Sequence, residues 1–144
     1  MNKFFKYFPR AVASIILIET LLFKFGVGGE IFLKESQTLF ENLTTGIFGH
    51  PEYEAYFRIG VGVLELIVAI VILTPRYAGI GALLGVILML AAVTSHVFLI
   101  GIIVGNDGGQ LMVMALIVMM CCVKVILDER IYIRSVFSNN IISQ

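Results

Sequence analysis

Charge is scarce in this chain. Only 14% of its 144 residues are Asp, Glu, Lys or Arg, while 59% are hydrophobic and the mean hydropathy is +1.00. Ordinary soluble domains carry about 25% charged residues, and a soluble core of this length could not hide so much apolar surface. That excludes a water-soluble domain, and residues 1–144 read as one polytopic membrane domain. The few charges cancel, ten Lys and Arg against ten Asp and Glu. No basic face is left for a nucleic-acid partner. Cysteine is equally scarce. Cys121 and Cys122 are adjacent, which rarely meets disulfide geometry and lacks the C-x-x-C spacing of a redox dithiol. They read as packing residues. Histidine occurs twice, at His50 and His96, so a bis-histidine haem would need the His50 link to fold down onto His96. Zinc spacing, a phosphate loop and a nucleophile elbow are all missing, and no metal site is expected.

What the chain does have is apolar length. Four stretches can each cross a hydrocarbon core of roughly 30 Å, which takes about 20 helical residues. They run over residues 8–25, 56–74, 77–103 and 108–127. The first follows Lys3, Lys6 and Arg10 like a signal peptide, but no small-residue cleavage site follows it, and it reads as a retained span. Pro75 and Arg76 make a tight link between the second and third. Gly105, Asn106, Asp107, Gly108 and Gly109 make the turn into the fourth. Links this short make the last three helices antiparallel neighbours.

The link after the first span is long. Within residues 31–48, Leu39, Leu43 and Ile47 repeat every four residues, with Phe32 and Phe40 on adjoining faces, until Gly49-His50-Pro51 breaks the pattern. This predicts an amphipathic helix lying on the outer surface or capping the bundle. The expected fold is therefore all-α: a membrane-embedded four-helix bundle with an amphipathic helix in the first extracytoplasmic link. Lys3, Lys6, Arg10, Arg76, Lys124, Arg130 and Arg134 fall on one side, and Glu30, Glu35, Glu41, Glu52 and Glu54 on the other. By the positive-inside rule both termini are expected in the cytoplasm.

Polar residues inside the spans are few: Glu19, Lys24, Arg58, Glu65, His96 and Gln110. A carboxylate at bilayer depth is costly and seldom faces lipid. At 1.5 Å per residue, Glu19 lies roughly 16 Å and Lys24 roughly 24 Å up the first span. Arg58 and Glu65 lie roughly 3 and 13 Å down the second, and His96 roughly 28 Å up the third. Gln110 opens the fourth. Two polar layers result, Glu19 and Glu65 near mid-membrane and the other four toward the outside, so a pocket is expected to open outward. Arg58 and Glu65, seven apart, share a face with Gly62 between them. Gly81 and Gly85 make a small-xxx-small contact on the third span.

Several short motifs occur in a telling order. They are Leu22-Phe23-Lys24-Phe25 at the end of the first span, Gly49-His50-Pro51 after the amphipathic link, and Gly62-Val63-Leu64-Glu65-Leu66 in the second span. Thr74-Pro75-Arg76 and Ala91-Ala92-Val93-Thr94-Ser95-His96 complete the set. Over about residues 10–125 this order resembles the DoxX-like family of small four-helix membrane proteins. The resemblance implies a bundle with both termini inside, in a bacterial cytoplasmic (inner) membrane. It implies functions ranging from the membrane subunit of a thiosulfate:quinone oxidoreductase to MauE-type maturation proteins, with distant chaperone-like or cargo-receptor relatives. It carries over Lys24, Glu65 and His96 as candidate site residues. Glu19, Arg58 and Gln110 come from the depth argument alone.

Two function classes follow. In the first, the chain binds a quinone or small anion for a membrane redox system and its partner protein. Lys24 and Arg58 would attract the ligand, Glu65 orient it, and His96 exchange protons. In the second, it is a non-enzymatic assembly factor or chaperone holding another membrane protein. Neither a C-x-x-C pair nor a cofactor ligand set is evident, which argues against stand-alone redox catalysis. Transport through four short helices would need an oligomer.

Overall fold

A computed structural model describes residues 3–105 and 107–142, with side chains for residues 6–105 and 107–130. Asn106 of the predicted turn and the side chains of Lys3 and Arg134 lie outside the described residues. All regular structure among the described residues is helical. The elements are α1 (Lys3–Lys24), α2 (Glu30–Phe48), α3 (Glu54–Leu73), α4 (Ala78–Ser95) and α5 (Gln110–Ile142). A 3-10 turn at Pro51–Tyr53 leads into α3, and a π-helical turn at His96–Ile100 prolongs α4.

The four long helices close a ring. α1 and α4 each pack against both α3 and α5. Lipid-facing helices gain nothing from burying apolar side chains against one another, so close backbone approach must supply the contact. Glycines provide it. A Cβ on Gly81 would sit 2.7 Å from the backbone nitrogen of Ile72, and one on Gly85 would sit 2.7 Å from Cys122 Sγ. The expected seam is thus real, and it locks α4 to α3 and to α5. Gly62 does the same for α1 and α3, where a Cβ would meet Phe25 at 3.1 Å. The resulting core holds Ala13, Leu17, Val68, Ile72, Met89, Val118 and Cys122.

Three stretches, Pro51–Leu73, Ala78–Ile100 and Gln110–Arg130, are long and apolar enough to cross a membrane. The predicted first span differs. α1 has the length, at 22 residues, but any described stretch of spanning length carries Arg10, Glu19 and either Lys6 or Lys24. Its place in the ring comes from ion pairs as much as from apolar contact. Arg10 pairs with Glu129 of α5, and Lys24 with Glu65 of α3. α5 itself continues past the predicted end of the fourth span near Leu127, to Ile142.

α1 stops at a left-handed Gly26 (φ +67°). The Val27 N–H reaches back to the Leu22 carbonyl at 2.9 Å and the Gly26 N–H to Phe23 at 3.2 Å, a Schellman close. This turn releases α2 across one end of the ring, against α3, α1 and the π turn. The amphipathic helix is present, with Leu39, Phe40 and Leu43 buried against Phe57, Val61, Ile100 and Leu111. Ile47, expected on the Leu39–Leu43 face, and Phe32, expected on an adjoining one, stay about half exposed at 46% and 48%. Only the central turns of α2 cross the ring, so the ends of its apolar stripe overhang.

Candidate functional site

Beneath α2 a cavity of about 760 Å³ lies among α1, α3, α4 and α5. Its wall is mostly apolar, with one polar cluster on α1 and α3 and Ser95 and His96 across from it. Lys24, buried at the last turn of α1, sets its Nζ 3.0 Å from Glu65 Oε1 and 2.8 Å from Oε2. Thr20, one turn earlier on the same face, brings its hydroxyl 3.1 Å from Glu65 Oε2 and 2.9 Å from the Leu17 carbonyl. One hydroxyl proton serves one acceptor at a time, so Thr20 can give to Glu65 or withdraw to its own helix. Glu65 is only 5% exposed. A buried carboxylate needs its charge paired and its lone pairs filled, and Lys24 and Thr20 do this from α1.

Arg58, also buried, shares the Glu65 face as expected, but it does not reach Glu65. It donates Nε to Glu54 one turn back and Nη1 to the Lys24 carbonyl. A cation thus sits on an unsatisfied carbonyl at the C-terminus of α1, where the helix dipole favours it. Arg58 is not in the cavity wall. It positions Lys24 from behind.

His96 opens the π turn, is 6% exposed and lines the cavity. Short π segments recur at functional sites. Its Nδ1 lies 2.9 Å from the Gly101 carbonyl. A carbonyl only accepts, so Nδ1 carries the proton, and Nε2 of the neutral ring is left as an acceptor. With that ring neutral, the cavity offers an ammonium donor at Lys24 and an imidazole acceptor at His96.

Below the π turn, Asp107 organises the start of α5. Its carboxylate accepts N–H bonds from Val104 at 2.9 Å, Gly109 at 2.8 Å and Leu111 at 3.2 Å. Partial burial alone would push this carboxyl up. The three N–H groups outweigh it and hold Asp107 below the usual carboxylate range.

The other two sequence candidates fall elsewhere. Glu19 and Gln110 are exposed and line a second cavity of about 740 Å³, shared with Lys34, Glu35 and Asp107. Glu19 shares no ion pair with any described residue, because five residues separate it from Lys24 and it points away from α3. The two cavities share Thr20, Phe23, Leu39, Ile100, Leu111 and Met114 as walls. α2 lies across the end at which the pocket is expected to open, lining it with Leu39, Phe40 and Leu43.

Sequence reasoning missed Thr20 and the Arg10–Glu129 pair. Thr20 had a readable signal, its i to i+4 spacing from Lys24. Arg10 is 1% exposed and donates to Glu129 at 2.7 Å, with Lys6 also 2.7 Å from that carboxylate. Its partner lies 119 residues away, and no local pattern announces it. Among the described residues, no three His, Cys, Asp or Glu side chains gather as a metal site would need.

No protein-family model, curated protein or solved structure matches the chain. The resemblance to the DoxX-like family therefore rests on its motif residues.

Proposed function

We propose that this is a DoxX-like integral membrane protein that binds a quinone for a membrane redox system. In this reading α1 is the fourth span of the bundle, the membrane is a bacterial cytoplasmic one, and both termini face the cytoplasm. Support comes above all from Lys24, Glu65 and His96, the three positions of the motif resemblance, lining one cavity. Ligand sites are typically 300–1,000 Å³, mostly apolar, with a few placed polar groups. A neutral ring with carbonyl oxygens suits such a seat. Lys24 donates to one oxygen, and His96 accepts the hydroxyl proton of the reduced form.

The charge balance separates a quinone from a small anion. Lys24 is already paired with Glu65, and Arg58 with Glu54. The cluster is neutral overall and offers no spare positive charge to an anion, while a carbonyl can share the Lys24 protons without displacing Glu65. The electrons themselves belong to a partner protein.

The assembly-factor reading draws on α2, where Phe32, Ile47 and Phe48 are about half exposed. Native mass spectrometry of protein gently extracted from its own membranes tests both. A reproducible adduct of quinone mass, absent in the paired variant Lys24→Met/Glu65→Leu, supports the first reading. A bare chain held to a stoichiometric protein partner supports the second and sinks the first.

A further inference from the structure

The main cavity lies between α2 at one end and the packed core of the ring at the other, and part of its lining on α3 and α4 is exposed. At the α2 end, Leu39, Phe40 and Leu43 pack down onto α3, the π turn and α5. Phe57 braces this roof, its ring 6.3 Å from Phe40 and 5.8 Å from Phe48. At the opposite end the core around Val68, Ile72 and Cys122 is packed to the glycine contacts of α4. α3 and α4 both line the cavity, through Gly60, Val63 and Leu64 on one side and Leu88, Ala91 and Ser95 on the other. Gly60, Val63, Leu64 and Ala91 are also exposed on the outer surface of the ring. A Cβ built on Gly60 meets no atom within 4 Å, so the rim is empty as well as exposed.

We infer that the cavity is filled sideways from the bilayer, through the gap between α3 and α4, by an amphiphile with a carbonyl-bearing head and an apolar tail. The head seats at Lys24 and His96, and the tail trails past Gly60 and Ala91 into lipid. The chemistry of the rim favours this source. Its flanks are aliphatic apart from Ser95, whose hydroxyl is already given to the Ala91 carbonyl, so a charged solute from water would have to shed its hydration there, whereas a lipid-dissolved molecule is already dry. The α2 roof then serves to keep water off a head group that arrived from the side. The inference rests on the quinone reading and adds the route and the need for a tail.

Side entry is tested by narrowing the rim. Gly60→Phe places a ring in empty space on a helix that tolerates replacement of glycine, and Ala91→Phe does so from the facing helix. The protein is held in bilayer nanodiscs and mixed with vesicles carrying a decyl-tailed benzoquinone. Binding and release are followed by quenching of tyrosine fluorescence. Both variants should slow uptake and release together by about tenfold, so that Kd moves far less than either rate, as expected when the path is obstructed. Rates unchanged in both variants would overturn side entry alone and make the charged cavity beyond Thr20 the route. A raised Kd without slowing would place the new ring in the seat itself and also overturn it. A wild-type protein that takes up no tailed quinone would overturn the quinone reading beneath, and the route with it.

Discussion

Breaking the Lys24–Glu65 pair from either side should cost far more than removing it whole. Both side chains are less than a tenth exposed, and their charged atoms approach to 2.8 Å. Lys24→Met leaves a buried carboxylate with only the Thr20 hydroxyl, and Glu65→Leu leaves a buried ammonium. Orphaning one member of a buried pair costs about 3–5 kcal/mol, while replacing both by apolar groups of similar volume is often neutral or stabilising. Each single variant should therefore lose about 3–5 kcal/mol, and Lys24→Met/Glu65→Leu should lie within about 1 kcal/mol of wild type. For a chain of this size 1 kcal/mol moves Tm by roughly 2–4 °C, so the single variants should melt roughly 6–20 °C lower. Thermal unfolding in detergent, followed by circular dichroism, reads this directly. A double variant as unstable as the two single losses combined would refute the coupling. So would single variants that melt with wild type. The double variant also separates stability from recognition. It should fold and fail to bind the tailed quinone; normal binding would show that the pair merely fastens α1 to α3.

Other regions of the fold give sharper packing tests. Gly81→Ala presses a methyl onto the α3 backbone at 2.7 Å and should destabilise by about 1–3 kcal/mol, read as a lower Tm. Gly85→Ala meets a sulfur rather than backbone, so Cys122→Ala should recover most of its loss in the same assay. Glu129→Gln leaves Arg10, 1% exposed, without its carboxylate and should cost about 3–5 kcal/mol in thermal unfolding. Asp107 is held below its usual range, so its contribution is fully present above the ordinary value of 3.8 and is lost as pH falls through the lower folded value. Asp107→Ala should lower stability by about 1 kcal/mol at neutral pH and reduce the loss on acidification, measured as Tm against pH.

The long apolar runs were legible because a membrane helix writes its length and composition into consecutive residues. α2 was legible from the four-residue recurrence of Leu39 and Leu43, and the α4 seam from Gly81 and Gly85. Lys24, Glu65 and His96 stood out because an ionisable group is rare at depth. What stayed hidden was pairing. Depth along a helix axis says how far in a residue lies, not which way around it points. Glu19 and Glu65 have nearly equal depth, yet one faces the outer cavity and the other Lys24. Arg58 was correctly placed on the Glu65 face, but its guanidinium turned to Glu54 and to the end of α1, partners fixed by how the two helices meet.

The charges of α1 tie the existence of the site to its assembly. On an insertion scale the eight Val, Ile, Leu and Phe residues between Val12 and Phe23 favour the membrane by about 2–5 kcal/mol, and one charged residue at depth opposes it by about 2.5–3.5 kcal/mol. Glu19 alone nearly cancels the gain, before Lys24 is counted. In the proposed four-span reading, α1 by itself is a marginal span. It becomes a stable one when Glu65 takes Lys24 and Glu129 takes Arg10, because the cost of those charges then falls on pairs rather than on lone ions. α1 also carries Leu17, Thr20 and Lys24 in the cavity wall. The interactions that hold α1 in the ring thus include the one that builds the polar seat, so the cavity acquires its recognition groups only as the ring closes. The same carboxylate that neutralises Lys24 keeps a bare cation out of the membrane while leaving ammonium protons to share with a carbonyl.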